Sequence, residues 1–306
     1  MRRWSDGVGW LAVLTGVLMF STDSIVLRQI ALPPVVISCG SHTVTTLIFA
    51  VWQWRSLPHH LPHLRDRAVV YRLLVLGLLR GTGAVAFVAA VFLAPVAKVV
   101  VISYLFPVYT MFLAYRFLGE PLTGRFVSAA VIALVGVMVL VLPGLGPTSS
   151  NEWPGLLLAG YVGISVAVGR VVLKDIPASI PNQFILLMEA VIAAVTLAPF
   201  ALLSLEMPIP GKAALLVAAN GVLYGVAART IILIGLRRVP AGPAAVLGYV
   251  EPVSTSLLAW WLLAEPISFY TLFGGLLILG GSLMAVLSQI RRAPVLPMSY
   301  QDSAGI

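Results

Sequence analysis

The chain has 306 residues, of which 60% are hydrophobic and only 10% are charged, and its mean hydropathy is +1.02. Soluble domains are about 25% charged, and the apolar residues here come in runs of about 20, long enough to cross a hydrocarbon core about 30 Å thick. The composition therefore excludes a soluble protein and predicts an all-α polytopic membrane protein. A β-barrel is excluded as well, because its strands would be short segments of alternating polarity.

The formal net charge of +8 invites comparison with nucleic-acid-binding proteins. The Lys and Arg residues, however, lie mostly at the ends of the apolar runs, where they act as topology signals. We therefore expect a lipid bilayer and a small-molecule substrate as partners, and no nucleic acid, for a monomer or homodimer. The chain has no Walker sequence, dinucleotide fingerprint or HExxH motif, so we predict no cofactor, no metal site and no catalytic residues.

In chain order, the apolar runs predict ten membrane spans, with boundaries good to about three residues. The spans cover residues 9–30, 35–54, 70–92, 96–115, 124–142, 154–174, 181–203, 213–236, 243–263 and 268–288. The start of the chain resembles a signal peptide, but its apolar run is long and lacks a small-residue cleavage site. We therefore assign it to the first span.

The distribution of Lys and Arg predicts that both termini are cytoplasmic. With the N-terminus inside, thirteen of the 19 basic residues fall on the cytoplasmic side, which carries the positive charge in membrane proteins. Three fall on the outer side (Arg28, Lys98 and Lys212), and three lie inside spans (Arg80, Arg170 and Arg229). We expect a multi-pass protein of a cell inner (plasma) membrane.

Residues of the first half recur in the second half at a constant separation of 145 positions. The matched pairs are Ile102–Pro107 with Leu247–Pro252, Pro95 with Pro240, Glu120-Pro121 with Glu265-Pro266, and Gly136 with Gly281. This predicts a duplication, with a first five-helix repeat over 1–143, an outer linker over 144–153, a second repeat over 154–289 and a cytoplasmic tail over 290–306. Because five spans is an odd number, the second repeat must be inverted relative to the first.

Pro107 and Pro252 lie inside apolar runs at equivalent positions of the two repeats. Proline frees a backbone carbonyl and bends a helix, which a membrane tolerates only where protein or a water-filled cavity satisfies the freed groups. We therefore predict two helix breaks beside a binding site. Spans 3 and 8 also share the G-x-x-x-G spacing, over 77–81 and 221–225, which predicts a closely packed helix pair in each half.

Charged residues inside spans are candidate functional residues. Arg80 lies near the midplane and Asp23 lies about 10 Å from the outer end of span 1, and we assign both to substrate binding. The two residues could also pair with each other, either as a static contact or as a gate or zwitterion-binding site.

Glu189, Arg229 and Glu251 lie at similar depths, roughly 10–12 Å from the cytoplasmic ends of their spans. This predicts one charge cluster, which is either a static network or a cytoplasmic gate or coupling site. We assign Glu189 and Arg229 to the gate, and Glu251, which precedes a helix break, to substrate binding. Arg170 lies about 6 Å from its cytoplasmic helix end, so it either reaches water there or joins the gate.

Four aromatic residues beside the breaks or glycines are assigned to substrate binding, because they could stack on a flat ligand or close over it. They are Tyr104, Phe106, Tyr224 and Tyr249. The alternative for each is packing in the apolar core.

The two repeats carry related signatures. The second reads Tyr-Val-Glu-Pro over 249–252 and Leu-Leu-Ala-Glu-Pro over 262–266, and the first reads Tyr-Leu-Phe-Pro over 104–107 and Phe-Leu-Gly-Glu-Pro over 117–121. With these signatures the chain resembles the ten-span EamA-like branch of the drug/metabolite transporter superfamily, and is similar to its amino-acid exporters. The resemblance implies a central cavity lined by spans 1, 3, 4, 6, 8 and 9.

Together these features predict a secondary active or facilitative transporter, an exporter of a small polar or amphipathic metabolite such as an amino acid, working by alternating access. Charges of both signs fit a zwitterion. A carrier for an anionic or phosphorylated metabolite is the alternative, favoured if Arg80 and Arg229 lack carboxylate partners. A membrane enzyme acting on lipid-linked substrates is the third hypothesis, but the carboxylates are scattered over the spans.

Overall fold

The computed structural model describes residues 2–27, 29–145, 150–205, 209–263 and 267–290, and all regular elements in these ranges are helices. The first half contains α1 (Arg2–Leu27), α2 (Pro34–Gln53), α3 (Leu57–His60), α4 (Arg67–Leu93), α5 (Val96–Ser103), α6 (Phe106–Leu118) and α7 (Gly124–Val141). The second half contains α8 (Trp153–Asp175), α9 (Asn182–Leu203), α10 (Gly211–Asn220), α11 (Arg229–Leu236), α12 (Ala241–Leu247), α13 (Val250–Leu263) and α14 (Phe269–Ile290). A π-helical segment (Gly221–Ala228) joins α10 to α11.

Eight helical segments within the described ranges are long and apolar enough to cross a membrane, so the chain is an all-α multi-pass membrane protein. The two predicted spans outside this set are the first, which contains a shorter apolar helix over Gly7–Asp23, and the ninth, which is divided into α12 and α13. Arg28, the pair Glu265-Pro266 and the tail from 291 onward lie outside the described residues.

The fourth and ninth predicted spans are both interrupted. Helix α5 ends at Ser103 and α6 begins at Phe106, while α12 ends at Leu247 and α13 begins at Val250. Each interruption therefore lies just before its proline, so that Pro107 and Pro252 fall in the first turn of the following helix. A helix tolerates proline there because the first N–H groups have no intrahelical acceptor.

Corresponding helices of the two halves run antiparallel where they pack on each other. In the α7–α14 pair, a Cβ at Gly136 would lie 2.7 Å from the Gly274 carbonyl oxygen, and one at Gly281 would lie 2.6 Å from the Ala133 nitrogen. In the α2–α9 pair, the Gln53 side-chain amide donates to the Gln183 carbonyl (2.9 Å) at one end. The Cys39 thiol contacts the Ala194 carbonyl (3.7 Å) at the other end.

Two further packing contacts join the halves, between spans 1 and 8 and between the corresponding spans 6 and 3. Helix α1 packs along the π-helical segment and α11, and α8 packs along α4 in the same antiparallel sense. The glycines of the two G-x-x-x-G stretches contact helices of the opposite half: Gly77 and Gly81 of α4 lie on α9, and Gly221 and Gly225 lie on α2. These small residues let the backbones approach closely, and the predicted close packing therefore joins the halves to each other.

The interrupted helices are buried to different extents. Every residue from Ala241 to Val250 is buried, whereas at the corresponding place in the first half Val100, Val101, Ile102, Tyr104 and Leu105 are only half-buried. Under the predicted topology α12 lies toward the cytoplasm and α5 toward the outside. The packing is therefore tighter at the predicted cytoplasmic end.

The α7–α14 contact predicts that Gly136→Ala lowers the stability of the protein by about 1–3 kcal/mol, the usual cost of overpacking. The added methyl group would lie 2.7 Å from backbone of α14, so the helices would have to move apart. Thermal unfolding in detergent measures the change. Gly280→Ala is the matched control, because a Cβ there meets nothing within 4 Å; equal stability of the two variants would contradict this packing.

Candidate functional site

A small cavity, with room for about one water molecule, lies where α2, α4, α9 and the segment from the π-helix to α11 meet. The side chains and glycine around it are His42, Thr45, Arg80, Leu186, Glu189, Ala190, Gly225 and Arg229. The resemblance implied a cavity between spans 1, 3, 4, 6, 8 and 9, and the walls here come instead from spans 2, 3, 7 and 8.

Two arginines share one carboxylate in this cavity. Arg229 donates directly to Oε1 of Glu189, and the Nε atom of Arg80 lies 3.8 Å from the same oxygen. The Glu189 side chain is only 7% exposed, while that of Arg80 is 35% exposed. The tight pair fixes Glu189 and Arg229 in place, and the loosely held Arg80 retains donors for a ligand.

The Oε2 atom of Glu189 is buried and has no hydrogen-bond partner among the described residues. A buried unsatisfied carboxylate oxygen is costly in an apolar environment. The shared carboxylate therefore lies between two cations while one of its oxygens is unsatisfied among the described residues.

Asp23 pairs with an amide and not with Arg80. The Asn220 side-chain amide donates to Asp23 Oδ1 (2.6 Å), and within the described ranges Asp23 and Arg80 form no ion pair, although each lies within the electrostatic influence of the other. The interpretation of Asp23 and Arg80 as a static pair is therefore wrong. Opposite charges are held near each other without neutralising each other by contact.

Glu251 lies apart from the Glu189–Arg229 pair. Its carboxylate lies near the Tyr104 hydroxyl and Arg170. Within the predicted cluster, Glu189 and Arg229 are in direct contact, whereas Glu251 forms no ion pair with Arg229 among the described residues. Arg170 lies within electrostatic range of both Arg229 and Glu251, and the role of the cluster as a gate stays a prediction.

Arg170 turns toward the helix breaks. Its guanidinium carbon lies 4.8 Å from the centre of the Phe106 ring, and its Nη1 donates to the Ala244 carbonyl (3.2 Å). The cation–π contact stabilises the charge away from water. Arg170 therefore does not reach the cytoplasmic helix end, but links α8 to both interrupted helices.

Three of the aromatic candidates form one group at the breaks. The ring centre of Tyr249 lies 6.3 Å from that of Tyr104 and 6.4 Å from that of Phe106. Tyr249 is fully buried in the apolar cluster that includes Phe126, so it is a core residue of this conformation. Tyr104 remains half-buried beside Glu251, which makes it the stronger candidate for contact with a ligand.

The fourth aromatic candidate lies in the π-helical segment. The Tyr224 hydroxyl is 2.8 Å from the Thr22 hydroxyl, and its ring centre is 6.1 Å from that of Phe20. Tyr224 is therefore next to Asp23 in α1, although the ring itself is largely buried. Of the predicted substrate-binding residues, the structure brings Asp23 and Tyr224 together at one point, and Tyr104 and Glu251 at another.

Sequence reasoning missed Asn220, Ser41 and the π-helical segment. Asn220 accepts a hydrogen bond from the Ser41 hydroxyl (2.8 Å) while it donates to Asp23. It is the only asparagine in the interior of a predicted span, and this was the signal that could have identified it. The π-helix, a frequent mark of functional sites, has no comparable signature in the residue pattern.

Glu120 makes a contact between the halves at the predicted cytoplasmic end. Gly119, with φ of 67°, ends α6 in the left-handed conformation, and the Glu120 carboxylate then accepts from the backbone nitrogens of Ala241 (2.6 Å) and Gly242 (3.0 Å). A carboxylate at a helix N-terminus accepts hydrogen bonds from backbone N–H groups that have no intrahelical acceptor, and it interacts favourably with the helix dipole. Nearby, Lys174 donates to the Val239 carbonyl. In the sequence, Glu120 is notable only because Glu120-Pro121 recurs as Glu265-Pro266.

The Glu189–Arg229 pair predicts a large effect for Glu189→Gln. Removing one partner of a buried ion pair leaves uncompensated charge and costs about 3–5 kcal/mol, so we expect a clear loss of stability in detergent unfolding. Asp175→Asn, which breaks the much more exposed pair with Arg72, is the matched control with an expected cost of about 0–1 kcal/mol. Similar losses for both variants would contradict a structural role of Glu189.

Comparison with known proteins agrees with this arrangement of helices. A solved structure titled "Crystal structure of protein" superposes with a TM-score of 0.79 at 24% identity, covering 92% of this chain and 96% of that chain. The TM-score of this superposition shows that the two chains share a fold. No curated protein matches the chain significantly.

A family model matches nearly the entire chain, twice. The model is that of the EamA-like transporter family, and it covers residues 7–142 and 153–287. The family is one of membrane transporters within the drug/metabolite transporter superfamily, so the hypothesis of a membrane enzyme is set aside. With two EamA repeats across its length, the chain belongs to the EamA-like transporter family.

Proposed function

We propose that the protein exports a small zwitterionic metabolite, such as an amino acid, across the inner (plasma) membrane by alternating access. In this proposal ten spans form two inverted five-helix repeats, over 1–143 and 154–289, joined by an outer linker, with both termini in the cytoplasm. The antiparallel packing of α7 on α14 and of α2 on α9 supports the inversion, because these are corresponding helices of the two repeats.

One observation carries the choice of a zwitterion: among the described residues Asp23 and Arg80 form no ion pair with each other, since Asp23 accepts from Asn220 and Arg80 has only a loose contact with Glu189. These opposite charges match the ammonium and carboxylate groups of one ligand. The alternative of an anionic or phosphorylated substrate required arginines without carboxylate partners, yet Glu189 contacts both Arg229 and Arg80. The balance of charges therefore favours a neutral ligand.

The burial of the two interrupted helices supports alternating access. The residues from Ala241 to Val250 are buried at the predicted cytoplasmic end, and Glu120 joins the first repeat to the start of α12 there. The corresponding residues of α5 are more exposed. In the proposal this is an outward-open conformation, and the opposite conformation exchanges the packing of the two ends.

The role of Arg80 predicts that Arg80→Gln lowers kcat/KM for amino-acid exchange in proteoliposomes by about 10–150-fold. A hydrogen bond to a charged group contributes about 1.5–3 kcal/mol, and glutamine loses the charge. Arg80→Lys should fall in between, because a lysine ammonium cannot bind a carboxylate in the bidentate fashion of arginine. Exchange is measured with a radiolabelled amino acid chosen from a screen of all twenty.

Arg72→Gln is the matched control for Arg80→Gln, because Arg72 is on the same helix but forms an exposed pair with Asp175. It should leave exchange within about twofold of the unaltered protein. Full activity of Arg80→Gln would contradict the proposed carboxylate site. Exchange of phosphate esters but of no amino acid would favour the anionic alternative.

The Glu120 contact predicts that Glu120→Gln opens the cytoplasmic end. Loss of a charged acceptor costs about 1.5–3 kcal/mol, so a cysteine introduced at the fully buried Ala245 should be labelled at least about tenfold faster by a thiol reagent from the cytoplasmic side. The experiment uses a Cys39→Ala background, which removes the single native cysteine.

Glu152→Gln controls for the loss of an acidic side chain, since Glu152 pairs with Lys98 at the predicted outer end. That variant should not increase labelling at position 245 from the cytoplasmic side. Unchanged labelling in Glu120→Gln, or an equal increase in Glu152→Gln, would contradict the sealing role of Glu120.

A further inference from the structure

Two hydrogen bonds in series link Ser41, Asn220 and Asp23, and together they form the Ser41–Asn220–Asp23 relay. The Ser41 hydroxyl donates to Asn220 Oδ1 (2.8 Å), and Asn220 Nδ2 donates to Asp23 Oδ1 (2.6 Å). Ser41 and Asn220 are only 6% and 7% exposed, whereas Asp23 is half-buried. The relay therefore runs from the protein interior toward the more open position of the carboxylate.

The relay sets the orientation of the amide. A serine hydroxyl can donate to the carbonyl oxygen of Asn220, which turns the two amide N–H donors away from Ser41. One of these donors then reaches Asp23, whose carboxylate can only accept. The reversed amide would leave Asp23 facing another acceptor, so the contact with Asp23 fixes the direction of the network, and the Ser41 hydroxyl donates in agreement with it.

The backbone around Asn220 is held close to α2. A Cβ at Gly221 would lie 2.7 Å from the Ser41 carbonyl oxygen, and the Thr45 hydroxyl donates to the Gly221 carbonyl (3.2 Å). Asn220 is the last residue of α10, directly before the π-helical segment. The change in helix geometry and the glycine contact together place the amide where it meets both Ser41 and Asp23.

Asn220 engages only one oxygen of Asp23. The second oxygen, Oδ2, stays available to a ligand while the carboxylate is kept in a fixed orientation. The amide contact therefore holds the carboxylate without an ion pair to Arg80 among the described residues. An aspartate at position 220 would repel Asp23, and an alanine would leave the carboxylate unsupported.

We propose that Asn220, oriented by Ser41, is a positioning residue that presents Asp23 to the ammonium group of the substrate and so makes the carrier select compounds with a protonated amine. This inference rests on the proposed transport of a zwitterion. It adds a residue that determines specificity from the eighth span. Asn220 does not contact the ligand itself but acts on it through Asp23.

The test measures selectivity in proteoliposomes. The amino acid exchanged best in the screen competes with its own radiolabelled form, and in parallel its desamino carboxylic acid is used as the competitor. In the unaltered protein the amino acid should be the stronger competitor. Asn220→Ala should weaken it by about 10-fold or more, since a hydrogen bond to a charged group contributes about 1.5–3 kcal/mol, and should leave the desamino acid unchanged within about twofold.

Two further single variants and one double variant test the same contacts. Ser41→Ala should shift selectivity in the same direction by a smaller factor, because the amide loses its orienting partner but keeps its donor. Asn220→Asp should lose selectivity at least as strongly as Asn220→Ala. In an Asp23→Asn background, Asn220→Ala should cause no further change in the ratio of the two competitors.

Matched controls separate the relay from general loss of packing. Gln53→Ala removes another buried amide between spans, and Ser282→Ala removes another buried hydroxyl that contacts a neighbouring helix. Both should preserve the ratio of the two competitors. If Asn220→Ala weakens both competitors equally, its role is structural and the inference is overturned. If the unaltered protein exchanges no amino acid at all, the proposed function itself fails, which is a distinguishable result.

Discussion

Charged groups in membrane-spanning helices must find their partners within the protein, because hydrocarbon offers none. Glu189 meets this requirement for two helices: it accepts from Arg229 on α11 and attracts Arg80 on α4. One carboxylate of the second half therefore fixes an arginine of each half. The position of Arg80, and with it the shape of the cavity, depends on this shared contact.

The same constraint explains the contacts of Arg170 and Asp23 within the protein. Arg170 lies over the Phe106 ring and donates to Ala244, and Asp23 accepts from Asn220. Each charge is stabilised by a different device: a carboxylate, an aromatic face and backbone carbonyl, or an amide. Among the ion pairs of the described residues, the 3.8 Å contact between Arg80 and Glu189 is the longest, which is why the proposed function assigns Arg80 to the substrate.

The helices could be predicted closely from the sequence, because a span of apolar residues leaves a strong signal in composition. The predicted span 124–142 corresponds to α7 (Gly124–Val141), and 181–203 corresponds to α9 (Asn182–Leu203). The helix breaks could also be anticipated, since two prolines recur at one separation. The family and the transporter class followed from the same duplicated signature and are confirmed by the family match.

The partners of the charged residues could not be predicted in the same way. A rise of about 1.5 Å per residue gives the depth of Glu189 and Glu251, but it does not give the direction in which each side chain points. That direction depends on how helices pack, and in the eighth span the π-helical segment shifts the helix face after Asn220. The depth of a charged residue also does not identify an uncharged partner such as Asn220, which donates to Asp23.

The α7–α14 contact has a thermodynamic consequence for any exchange between two conformations. Gly136 contacts α14 and Gly281 contacts α7 in a reciprocal way, with Gly274 and Ile278 opposite Gly136 and Ala129 and Ala133 opposite Gly281. In the proposed alternating access, exchanging the roles of the two halves would give this interface a similar geometry and a similar energy in both conformations. The bias between them must then arise where the halves differ, as they do at Phe106 and Glu251.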